Sequence, residues 1–101
     1  MAQFVKAAKR QDIPDDKGVL ADCQGTRVAI FKVEENFYAI DNRCAHRGGP
    51  LSEGECVAGV VTCPWHGWQY DVKTGCNPDN DKIKVASFPL KVEGEDIWVE
   101  V

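Results

Sequence analysis

The sequence predicts an all-β protein, and two observations carry that expectation. Short runs rich in Val, Ile and aromatic residues recur between turn signals, and no window of about twelve residues keeps a helical period. At 101 residues with 44% hydrophobic content, the chain suits one globular domain spanning residues 1–101.

In order, the expected strands are Phe4 to Ala7, Val19 to Asp22, Thr26 to Val33, Phe37 to Asp41, Val57 to Thr62, Gln69 to Val72, Lys84 to Ala86, Leu90 to Glu93 and Ile97 to Val101. Glu34, Glu35 and Asn36 form a hairpin turn, as do Gly94, Glu95 and Asp96. Past the second turn, Ile97, Val99 and Val101 alternate with Trp98 and Glu100, the period of a half-buried strand. Trp98 itself is expected in the core, because large aromatics dominate burial. Asn77, Asp79 and Asp81 alternate like a calcium loop, but Lys82 stands where that loop needs Gly and Phe88 where it needs Glu, so this stretch reads as a solvated turn.

Twelve basic against sixteen acidic side chains give a formal charge of −4, the wrong sign for a nucleic-acid backbone or an anionic membrane. The opening MAQFVKAAKR has no long apolar region behind it, and about eighteen apolar residues never run together, so a cytoplasmic protein with no membrane partner is expected. Five cysteines are an odd number for a disulfide scaffold, and in a reducing compartment a bridge such as Cys56 to Cys76 is disfavoured.

Residues 42 to 56 and 63 to 68 are dense in Gly, Pro and polar residues and hold both histidines, which marks them as functional loops. Within them stand Cys44-x-His46 and, after sixteen intervening residues, Cys63-x-x-His66. Two thiolates and two imidazoles can enclose one tetrahedral zinc. Zinc modules, however, usually pair cysteine with cysteine and histidine with histidine, whereas here each loop mixes the two. A mixed pair makes sense for two metal ions, each loop giving its cysteine to one and its histidine to the other.

At CAHRGGPLSEG and CPWHGWQYD the chain resembles the Rieske 2Fe-2S family, particularly its small soluble ferredoxins, and the FPLKVEGEDIWVEV ending is similar too. The resemblance implies a Rieske-like small β-sandwich or barrel with an inserted cluster-binding subdomain of two loops. It implies one 2Fe-2S cluster, with Cys44 and Cys63 on the inner iron and His46 and His66 on the outer, redox-active one. Tyr70 matches the family tyrosine that hydrogen-bonds a cysteine sulfur. Gly49, Trp65 and Trp68 stand where high-potential members carry a disulfide and a serine hydroxyl, so the potential is expected near the low end of the roughly −150 to +300 mV span of such centres. Gly48, Gly49 and Gly67 would let backbone amides approach the sulfides, and Trp65 and Trp68 would shield the cluster from water.

The function so implied is a monomeric one-electron carrier, not an enzyme, taking electrons from a flavin-containing NAD(P)H reductase and passing them to a terminal oxygenase. Docking would be transient, at the His46 and His66 face, with Arg47 on its rim. No histidine remains for the mononuclear iron of an oxygenase. The alternative is a small Rieske-like subunit of an NAD(P)H-dependent nitrite reductase.

Overall fold

Four consecutive residues, Val28 to Phe31, have no solvent exposure. Because successive side chains of a strand point to opposite faces, that run demands a strand covered on both sides. The computed structural model, which describes residues 3–15, 17–45, 48–65 and 67–101, supplies both covers. In chain order its strands are β1 (Phe4–Lys9), β2 (Gly18–Cys23), β3 (Thr26–Val33), β4 (Asn36–Asp41), β5 (Glu55–Val57), β6 (Val60–Thr62), β7 (Gln69–Asp71), β8 (Cys76–Asn77), β9 (Asn80–Lys84), β10 (Ser87–Phe88), β11 (Leu90–Glu93) and β12 (Asp96–Glu100). Short 3-10 turns occupy Arg10–Asp12 and Leu51–Glu53.

The central sheet runs β10-β4-β3-β2, a second sheet runs β1-β12-β11, and β5-β6-β7 and the β8-β9 hairpin complete a fold in which the named strands pair antiparallel. Val28 and Ile30 of β3 join Ala39, Ile97 and Val99 in a core between the first two sheets. Ala29 and Phe31 look the other way, into a second core with Ile40, Leu51, Val61, Tyr70 and Val72. Cys44 and Cys63 belong to that second core, so the ligand loops sit directly on the sandwich.

The chain reverses in tight turns of the kind the right-handed strand twist favours. Val33 pairs with Asn36 and Glu93 with Asp96, so each hairpin turns on two residues, and Asn36 and Asp96 already belong to strands. The stretch expected as one strand from Val57 to Thr62 is a hairpin instead: Val57 pairs with Val60 across Ala58 and Gly59, both at positive φ (52° and 84°). Alanine carries no turn signal, and the flanking valines hid the break.

Two further expectations are corrected. The stretch around Asn77 is a hairpin whose second strand, β9, ends at Lys84, so Lys84 to Ala86 is not a strand of its own. Asn77 Oδ1 accepts the backbone N–H groups of Asp79 and Asn80 at 2.8 and 3.0 Å, closing the turn in place of a calcium loop. Trp98 is only half-buried, with Lys6 and Lys91 as its cross-strand neighbours, while Ile97 and Val99 supply the core face of β12. No helix among the described residues is long and apolar enough to cross a membrane.

Candidate metal centre

The loop after β4 is closed at its base by one buried side chain. Asn42 donates its N–H to the Arg27 carbonyl (3.1 Å), accepts the Leu51 N–H on its own carbonyl (2.7 Å), and accepts the Ser52 N–H on Oδ1 (2.8 Å). Burying an amide is costly unless its bonds are made, and here they tie both ends of the loop together. Sequence reasoning missed Asn42 and Ser52, although a polar pair bracketing a ligand loop is a usable signal.

Inside that clamp, the Cys44 N–H donates to the Gly49 carbonyl at 2.9 Å, and the Cys44 carbonyl accepts the Gly48 N–H at 2.9 Å. The β6-β7 connection repeats the frame: the Cys63 N–H donates to the Trp68 carbonyl at 2.7 Å, and the Cys63 carbonyl accepts the Gly67 N–H at 3.0 Å. In both loops the glycine four residues after the cysteine lies at positive φ, 74° for Gly48 and 77° for Gly67. A side chain is disfavoured there, which explains glycine at both points.

The two frames set Cys44 and Cys63 in one apolar core, each about 2% exposed. Gly49 is the point of closest approach: a Cβ there would lie 2.7 Å from Cys63 Sγ and 3.1 Å from Cγ of Trp65. Tyr70, fully buried on β7, places its hydroxyl 3.2 Å from Cys44 Sγ and accepts the Ala45 N–H at 3.1 Å. With its oxygen accepting from Ala45, the hydroxyl proton is available to the sulfur. Burial above all, and then the bond to Cys44, push the Tyr70 pKa up, so it remains a donor at neutral pH.

Two buried sulfur donors at matching loop positions, one facing a buried hydroxyl, suit a thiolate-bound metal centre. His46, His66 and Arg47 lie outside the described residues. Trp68 is half-buried against the core, whereas Trp65 is 58% exposed. Cys23 and Cys76 are free thiols, so no Cys56 to Cys76 bridge forms.

The model of the family described as "Rieske [2Fe-2S] domain" matches residues 3–89. The ferredoxin component of the naphthalene 1,2-dioxygenase/salicylate 5-hydroxylase systems of Ralstonia sp is 32% identical, with 97% of this chain and 95% of the relative covered. The ferredoxin of carbazole 1,9a-dioxygenase from Nocardioides aromaticivorans IC177 superposes with a TM-score of 0.88 at 26% identity, covering 96% of each chain. A complex of reduced oxygenase and oxidized ferredoxin in carbazole 1,9a-dioxygenase also matches, with TM-score 0.85 and 26% identity over 95% of this chain and 91% of the other. A putative NADH-dependent nitrite reductase small subunit from Mycobacterium tuberculosis reaches 0.90 over 100% and 96% of the chains, but at 19% identity it shares the fold alone.

Proposed function

Because the chain belongs to the Rieske 2Fe-2S domain family, we propose that it is the ferredoxin component of an oxygenase system, a carrier of single electrons and not itself a catalyst. When bound, the 2Fe-2S cluster supplies a one-electron couple. Cys44 and Cys63 would hold its inner iron and His46 and His66 its outer one. The matched backbone frames support that set, since each sets a buried thiol at the same place in its loop, two or three residues ahead of a histidine.

Tyr70 donates toward the Cys44 sulfur, which favours the more negative reduced state, and its core position excludes water from that side. The terminal oxygenase is the electron acceptor, as in the carbazole complex. A flavin-containing NAD(P)H reductase is the donor, and the protein works as a cytoplasmic monomer that docks transiently to each.

The observation that carries the reading is the pairing of two buried, loop-mounted thiols with the Tyr70 hydroxyl. Electron paramagnetic resonance of dithionite-reduced protein tests it. A mixed-ligand 2Fe-2S signal, with iron and acid-labile sulfide in equal amounts, is expected. Zinc alone, or no labile sulfide, would overturn the proposal.

A further inference from the structure

Trp65 is the largest exposed apolar side chain among the described residues, at 58%, whereas tryptophan is usually well buried. Part of its ring nevertheless lies against the other loop: Cγ and Cδ2 lie 3.1 and 3.2 Å from where a Cβ on Gly49 would stand, and Cys63 Sγ lies 2.7 Å from that same point. The indole therefore spans from its own loop to Gly49, close to a sulfur donor, while more than half of it meets solvent. In sequence it immediately precedes His66.

Charged side chains stand near both loops. Glu53 and Glu55, both exposed, line a recess with Cys63, Pro64 and Gly67, the loop residues that flank Trp65 in sequence. Neither takes part in a salt bridge among the described residues. In the other loop the exposed Arg43 lies along Gly48, its Nε 3.1 Å from a Cβ built there.

Resting on the electron-carrier reading, we infer that Trp65 is the apolar anchor by which a terminal oxygenase docks over the metal centre, with Glu53 and Glu55 selecting a basic rim on that partner. Tryptophan is among the side chains enriched in binding hot spots, and nearby charges set orientation and association rate. A second copy of this chain is the poorer occupant, because each copy carries −4.

The test uses stopped-flow reduction of the terminal oxygenase of the naphthalene 1,2-dioxygenase system by the reduced holoprotein. Trp65→Ala should keep the visible and paramagnetic spectra of the cluster yet lose about thirtyfold in second-order rate, and Trp65→Phe should recover most of it. Combined Glu53→Gln and Glu55→Gln should slow association and flatten its dependence on ionic strength. An undiminished rate in Trp65→Ala, loss of its cluster, or a dimer that depends on Trp65 would each overturn the anchor. If the unaltered protein reduces neither this oxygenase nor that of the carbazole system, the carrier reading itself has failed.

Discussion

Tyr70 reaches across the metal centre to Cys44, a residue twenty-six positions earlier in the chain, and sets its hydroxyl 3.2 Å from the sulfur. One oxygen thereby joins β7 to the loop after β4, because it also accepts the Ala45 N–H.

Tyr70→Phe should lower the reduction potential. Losing a donor that favours the reduced state by about 1 kcal/mol corresponds to a fall on the order of 40 mV for one electron. Losing the bond to the Ala45 N–H should cost a further ~0.5–1.5 kcal/mol of stability. Spectroelectrochemical titration decides: an unchanged potential refutes the assigned role.

Gly49→Ala and Gly67→Ala should part company. At Gly49 the new Cβ would crowd Cys63 Sγ at 2.7 Å, so iron content should collapse. At Gly67 nothing lies within 4 Å and only the positive φ is strained, so the cluster should persist, with roughly 1–2 kcal/mol lost. That loss corresponds to a Tm drop of roughly 4–16 °C. Iron assay with thermal melting separates them, and equal iron in both would contradict the close approach.

Stability should erode in alkali through Cys23. Burial first, and then the Asp22 carboxylate, push this thiol up from its ordinary value. Its contribution is therefore complete below the pKa of the unfolded thiol, near 8.5 by usual values, and disappears as pH climbs through the raised folded value. Above about pH 8.5 the urea midpoint of the unaltered protein should fall more steeply than that of Cys23→Ala. Parallel curves would exclude this thiol as the source.

His46→Ala or His66→Ala should abolish the mixed-ligand paramagnetic signal, whereas Arg47→Ala should preserve it and change only partner kinetics. Imidazole ligation also predicts a potential that drops in alkaline solution, as ring N–H groups acidified by ferric iron lose protons. A potential flat from neutral to strongly alkaline pH would count against histidine ligands.

Strand patterning made the sandwich legible where an apolar run is bounded by turn residues. Thr26 to Val33 and Leu90 to Glu93 form where the apolar pattern places them. The pattern misled at Ala58, where a turn is set by backbone conformation in a residue without turn chemistry, and at Trp98, whose size suggested burial on the outward face of β12. At the metal centre, Cys44 and Cys63 were readable because soft donors at motif spacing are rare, and Tyr70 through the family resemblance. Asn42 was not, since its role lies in a buried hydrogen-bond clamp that only tertiary closure creates. The exposure of Trp65 was hidden for the same reason: sequence places an indole beside the ligands but does not say which side faces water.

The same two main-chain hydrogen bonds close a frame around Cys44 and around Cys63, yet one histidine follows its cysteine by two residues and the other by three. Matched sockets therefore carry imidazoles that are out of step by one position, an offset that lies in the sequence and that the shared frame does not set.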